Sequence, residues 1–280
     1  EIKVRNLRLG RALAAADAGE VMEDVERPTT KFDDVIGAAA AKEELSFFID
    51  YLKNPKRFSA LGIKPPKGVL LHGPPGTGKT MLARAMAGES NVAFVSASAS
   101  NFVTVWQGSG PQNVRDLFAR ARRYAPSIIF IDEIDAVGKT RTGGGGGAQA
   151  DENTLNALLT EMDGFTSPSA DRPVFVLAAT NFSVDSEGED RPGSARPLDP
   201  ALVRRFSRAI LVDLPDRSAR ELYLNKRLKS RPACTVSDEI IRLVAERSPG
   251  MSIANLESII ETAARNAVKK GLELDGKLLE

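Results

Sequence analysis

The run Gly73-Pro74-Pro75-Gly76-Thr77-Gly78-Lys79-Thr80 constrains this chain more than any other feature. It fits GxxxxGK[ST], follows the short apolar run 68–72 directly, and leads directly into a segment of helical character at 80–88. Strand, glycine-rich turn and helix in that order form a cradle for phosphate. The glycines let backbone N–H groups turn inward, and the helix N-terminus adds its partial positive charge. Lys79 is placed to reach the β- and γ-phosphates, and Thr80 to offer a hydroxyl ligand to Mg²⁺. Pro75, Gly76, Thr77, Gly78 and the following Met81 complete the expected nucleotide-binding stretch. A nucleoside triphosphate is therefore the expected ligand.

Other short apolar runs support a sheet around that loop. They fall at 92–95, 127–131, 174–178 and 209–212, separated by helical patterns at 40–54, 113–124 and 153–162. Strands alternating with helices imply an α/β fold, a parallel sheet sandwiched by helices. Leu45, Phe48, Ile49 and Leu52 share one helix face. After Pro215 the strand pattern stops, and 218–228, 237–247 and 253–270 all read as helices, with Ser237 as an N-cap. The division expected is an N-terminal arm at 1–30, solvated or frayed, an α/β nucleotide-binding domain at 31–215, and a small all-helical lid at 216–280. Gly143–147 and the polar stretch 183–197 read as surface loops.

Ile128-Ile129-Phe130-Ile131-Asp132-Glu133 is an apolar strand ending in two carboxylates. Asp132 is placed to hold Mg²⁺ through water, and Glu133 to orient and deprotonate an attacking water. Asn181 ends a further strand, where it can hydrogen-bond the γ-phosphate or that water. GTPases of this architecture carry NKxD. The only Asn-Lys here, Asn225-Lys226, lacks the Asp, so ATP/ADP is the expected nucleotide.

Composition removes several alternatives. With 38 Lys+Arg against 37 Asp+Glu there is no basic excess to favour nucleic acid. A single Cys excludes an internal disulfide, and a single His excludes a two-histidine zinc site within this chain. No apolar run reaches eighteen residues. Opening on Glu1 rather than Met, the chain reads as a piece of something longer.

Further segments resemble a known family. Phe32-Asp33-Asp34-Val35-Ile36-Gly37 with Ala41-Lys42-Glu43-Glu44, Pro66-Lys67-Gly68-Val69-Leu70-Leu71 and Ile131-Asp132-Glu133-Ile134-Asp135-Ala136-Val137-Gly138 carry the likeness. So do Thr154-Leu155-Asn156, Glu161-Met162-Asp163-Gly164-Phe165 and Leu198-Asp199-Pro200-Ala201-Leu202. From Thr30 to about Lys270 the chain resembles the ATPase module of FtsH-type AAA+ proteases, membrane-anchored zinc enzymes.

The resemblance implies a homo-hexameric ring with ATP at its interfaces. It implies that Arg205 and Arg208 are arginine fingers reaching a neighbour's γ-phosphate, and that Asp163, Gly164 and Phe165 signal between subunits. Ile36 and Gly37 would hold adenine, and Gly250, Ser252 and Ala254 would close over the nucleotide. Val105, Trp106, Gln107 and Gly108 match a pore loop that grips unfolded or membrane protein substrates, and the glycine run 143–147 matches a second pore loop. The membrane segment and the Zn²⁺ protease domain would lie outside this chain, on the cytosolic face of a bacterial membrane or an organelle equivalent.

Departures from the family pattern are Trp106 for Phe, Gln107 for a hydrophobic residue, Ser207 for Asp and Ile253 for Gly. A Pro-Gly pair is absent before Arg205, and the loop after Asn181 is longer. A stand-alone remodelling ATPase without proteolysis, a nucleotide-sensing scaffold, and a nucleic-acid motor are the competing readings.

Overall fold

The computed structural model describes residues 25–63, 66, 68–102, 109–138, 146–164, 172–182, 198–232, 234–270 and 274. Five strands, β1 (Gly68–His72), β2 (Ala93–Ser98), β3 (Ser127–Asp132), β4 (Val174–Thr180) and β5 (Arg208–Leu211), form one sheet. They lie parallel in the order β2-β3-β4-β1-β5. Because side chains alternate across a strand, β1 to β4 each feed two cores, while β5 buries only Ile210, on one face. Val69 and Leu71, Ile128 and Phe130, and Phe175, Leu177 and Ala179 pack on one face, against α1 (Ala39–Lys53) and α3 (Lys79–Ser90). Leu70, Ile129, Ile131, Val176 and Ala178 pack on the other, against α4 (Ser109–Arg123) and α6 (Gly146–Asp163). Burial on both faces explains why these strands read as continuous apolar runs. Phe118, Phe130 and Phe175 are nearly or wholly removed from solvent, each worth about 1.5–3 kcal/mol relative to exposure.

Three short helices, α2 (Pro55–Ala60), α5 (Asp135–Gly138) and α7 (Pro200–Val203), join these layers. Past Pro215 come α8 (Arg217–Lys229), α9 (Asp238–Arg247) and α10 (Ile253–Lys270), packed around Leu224, Leu228, Ile241, Leu256 and Ile260. This third core is separate from the sheet's two. Asp216 caps α8 by accepting from the Ala219 amide at 2.7 Å. Arg220 ties the joint: its guanidinium donates to the carbonyls of Pro215 at 2.9 Å and of Ala245 at 2.9 and 3.1 Å. Among the described residues no helix is long and apolar enough to cross a membrane.

Several sequence boundaries shift. β2 runs on to Ser98, and β4 to Thr180, beyond the apolar residues that mark them. α6 begins at Gly146, inside the glycine run read as a loop, and α4 begins at Ser109 through Gly110 and Pro111. Ser237 stands at the N-cap of α9 but makes no side-chain cap bond. The arm expected over 1–30 becomes a packed segment from Val25 onward, with the Glu26 carbonyl accepting from the Phe94 amide at 2.8 Å on the outer edge of β2.

Candidate nucleotide site

The turn after β1 requires its glycines at two points. Gly73 has φ +138°, and a Cβ there would lie 2.4 Å from the Val212 carbonyl oxygen. Gly76 has φ +74°, and its Cβ would lie 2.8 Å from both Ala254 Cβ and Ser252 Oγ. These positions disfavour any side chain, by backbone sterics and by lack of space. Lys79 opens α3 and folds back over the loop, donating to the Gly73 and Pro74 carbonyls at 2.8 Å each. Burial pushes its ammonium below the ordinary lysine pKa, while Asp132 and Asp135 pull the other way. A cation held against backbone oxygens is poised to exchange them for phosphate oxygens.

β3 delivers Asp132 to the same place. Thr80 Oγ1 donates to Asp132 Oδ2 at 2.8 Å, so two hard oxygen ligands converge beside the loop. That pair suits Mg²⁺, which is commonly bound by one or two protein oxygens together with substrate phosphates. Glu133 follows in the left-handed region at φ 51°, a conformation that non-glycine residues rarely adopt. The turn leaves its carboxylate exposed, in long contact with Ser98 Oγ at 3.4 Å. Behind it the Ile134 amide donates to the Ala179 carbonyl at 2.9 Å, fixing the acidic turn to β4. In the register of β1 and β4, His72 pairs with Thr180. Asn181 is therefore level with Gly73, at the phosphate end of the sheet.

Beside Thr77 and Gly78 lies a cleft of about 470 Å³ lined from both the sheet domain and the helical part. Val35, Ile36, Met81 and Ile253 give it an apolar wall. Gly37 (φ 78°) and Ala38 (φ 53°) turn the chain from that wall into α1, and Lys42 Nζ donates to the Val35 carbonyl. The helical part closes down directly, because the Ala254 amide donates to the Gly76 carbonyl at 3.2 Å. Gly250, at φ 74°, lies in the turn that precedes α10.

Two of the expected site residues stand elsewhere. Arg208 pairs with Val69 in the β5–β1 register, four residues before Gly73. At roughly 3.3 Å per residue, that is about 13 Å from the chain's own phosphate loop, longer than an extended arginine side chain. Its Nε donates to Glu44 at 3.1 Å. Arg205 pairs with Asp163 at 2.8 Å, at the end of α6 and beside Gly164. Val105, Trp106, Gln107, Gly108 and Phe165 lie outside the described residues, as do the stretches 143–145 and 183–197.

The motif reading misses Thr29, Thr30, Tyr223 and Arg227, which also line the cleft. Tyr223 and Arg227 share one carboxylate: the phenol donates to Glu257 Oε2 at 2.5 Å and Arg227 Nε at 2.9 Å. Burial and Glu257 push the phenol up to about 12, and Arg227 first of all holds Glu257 below the usual carboxylate range. The i, i+4 spacing of Tyr223 and Arg227 is visible in sequence. Their partner, thirty positions on, is not.

A phosphate loop, an acid-tipped inner strand and a helical part closing over the cleft define a P-loop nucleoside triphosphatase. The model of the ATPase family associated with various cellular activities (AAA) matches residues 69–214, more than half of the chain, and the chain belongs to that family. It is 49% identical over 249 residues to the ATP-dependent zinc metalloprotease FtsH of Thermus thermophilus, covering 88% of this chain and 37% of that protein. It is 47% identical over 260 residues to the FtsH of Sulfurovum sp., covering 91% and 36%. The FtsH of Acidimicrobium ferrooxidans is 48% identical over 249 residues, covering 88% and 35%. The chain thus spans little more than a third of these relatives. Over that third it is similar to the FtsH proteins.

Proposed function

We propose that this module is a ring motor that unfolds protein substrates and threads them through a central pore, feeding a metalloprotease domain outside the chain. The observation that supports it is the separation of Arg208 from the chain's own phosphate loop. Arg208, about 13 Å down the strand, cannot serve the γ-phosphate beside Lys79 in the same copy, and Arg205 is held by Asp163, but a head-to-tail neighbour can present both to it. A ring of identical copies, hexameric by likeness to the family, satisfies every interface at once.

In that ring Lys79 and the loop amides bind the phosphates, and Ile36, Gly37 and Met81 bind adenine. Thr80 and Asp132 hold Mg²⁺, which when bound neutralises charge on the β- and γ-phosphates. Glu133 orients and deprotonates the attacking water, and Asn181 positions it. Arg205 and Arg208 of the next copy steady the charge that develops in phosphoryl transfer. Asp163, Gly164 and Phe165 report nucleotide state across the interface. Trp106 in the pore loop presses apolar surface on an extended chain irrespective of its sequence. Membrane attachment belongs to segments outside this chain.

The test is ATP-dependent unfolding of a stable protein carrying an unstructured tail. Trp106→Ala should keep ATP hydrolysis and lose unfolding, while Trp106→Phe should keep both. Full unfolding by Trp106→Ala would remove Trp106 from the grip.

A further inference from the structure

Residues 25–31 lie outside the phosphate motifs, yet they are pinned at both ends. Besides the bridge from Glu26 to Phe94, the Glu26 carboxylate pairs with Arg84 of α3 at 2.5 Å. The Arg84 guanidinium lies 5.8 Å from the Phe94 ring centroid. At the other end, Lys31 Nζ donates to the Gly88 carbonyl, and the Phe32 amide donates to Glu89 Oε1 at 3.1 Å. The closest approach is at Gly88, where a Cβ would stand 2.0 Å from the Thr30 carbonyl oxygen and 2.9 Å from that of Pro28. Backbone meets backbone there, with no side chain to give way. The helix underneath is α3, whose first residue is Lys79. Between the two anchors, Thr29 and Thr30 form part of the cleft wall together with Ile36, Met81 and Ile253. Their hydroxyls can both donate and accept.

We propose that residues 25–31 are a strap belonging to the nucleotide site. Seated on α3 at Gly88 and Arg84, the strap holds Thr29 and Thr30 against the nucleoside half of the bound nucleotide. Unseating it weakens nucleotide binding and leaves the phosphate-side chemistry intact. The inference rests on adenine nucleotide occupying this cleft. It has a mechanical consequence, because the chain leading to Val25 continues directly into the strap. A pull on that upstream chain lowers nucleotide affinity, and by reciprocity bound nucleotide seats the strap. A strap that merely shields the sheet edge would show neither effect.

The test uses the full chain as wild type, Gly88→Ala and Arg84→Ala. The readouts are titration with a fluorescent ADP analogue, steady-state ATP hydrolysis, and hydrogen exchange at the Phe94 amide. Alanine favours the helix at position 88, so the clash falls on the strap. Gly88→Ala should raise the ADP Kd and the ATP KM about tenfold, the scale of one net hydrogen bond. Its kcat should stay within about twofold, as expected when only ground-state binding is lost. Exchange at the Phe94 amide should speed up in the variant, and saturating ADP should slow it in the wild type.

An unchanged Kd in Gly88→Ala alongside faster Phe94 exchange overturns the strap's role, as does wild-type exchange indifferent to ADP. Should alanine at 88 unfold the chain, Arg84→Ala, which adds no atoms, carries the same expectation and the same refutation. A wild-type chain that binds no ADP overturns the nucleotide reading itself, and the inference with it.

Discussion

Mixing two inactive variants tests most sharply whether Arg205 serves a neighbouring copy. Arg205→Ala keeps Lys79, Asp132 and Glu133 in its own cleft and loses the cation that Asp163 holds at 2.8 Å. Glu133→Gln keeps the arginine and loses the base. In the phosphoryl-transfer enzymes for which such arginines have been measured, one is worth about 10³–10⁵ in rate, so each variant alone should be nearly silent. If copies associate head to tail, an Arg205→Ala cleft beside a Glu133→Gln neighbour is complete. In an equal mixture about a quarter of the interfaces have that order, so activity should approach a quarter of wild type once the copies associate. The assay is phosphate release at rising chain concentration, for each variant alone and for the mixture. A mixture no more active than the mean of its parts, at a concentration where wild type is active, refutes service to a neighbouring copy. Full activity in Arg205→Ala alone would refute it too.

Other expectations follow from single contacts. Gly73→Ala should destabilise the chain by about 3 kcal/mol, from the left-handed backbone and the 2.4 Å approach to Val212, read as a fall of roughly 10 °C in Tm; an unchanged Tm would contradict the packing. Thr80→Val keeps the volume and removes the oxygen shared with Asp132, so half-maximal hydrolysis should need about tenfold or more Mg²⁺; an unmoved Mg²⁺ dependence would exclude Thr80 as a ligand. Glu257 has a folded pKa below its unfolded value because Arg227 holds it as the anion. Its contribution should be full above the unfolded carboxylate pKa and fade as pH falls through the lower folded value. Thermal unfolding of Glu257→Gln across the acid range should therefore show a shallower loss than wild type, and parallel curves would contradict the pairing.

How much of this was legible in the sequence depends on where each residue's partners lie along the chain. The sheet is legible because the inner residues of β3 and β4, 128–131 and 175–179, are buried on both faces and all apolar. The phosphate loop and Asp132-Glu133 were legible because their chemistry is local in sequence. Boundaries differ where polar residues complete an element: Ser98 ends β2 and Ser109 opens α4 with no apolar signal. The cleft's outer wall was hidden for the same reason. Thr29 and Thr30 look like loop residues until Gly88, nearly sixty positions on, is seen to leave room for the carbonyls of Pro28 and Thr30. Arg205 and Arg208 were flagged only by family likeness. It is the register of β5 against Val69 that removes Arg208 from its own cleft, and the pair with Asp163 that places Arg205.

On the proposed function, the cleft between the phosphate loop and the helical part binds ATP through Lys79 and turns it over through Glu133. Calorimetric titration of MgATP into Glu133→Gln, compared with Lys79→Ala, tests it most directly. Saturable binding of one ATP per chain in Glu133→Gln without phosphate release, and no binding in Lys79→Ala, is the result predicted. Continued turnover in Glu133→Gln, or undiminished binding in Lys79→Ala, would contradict it.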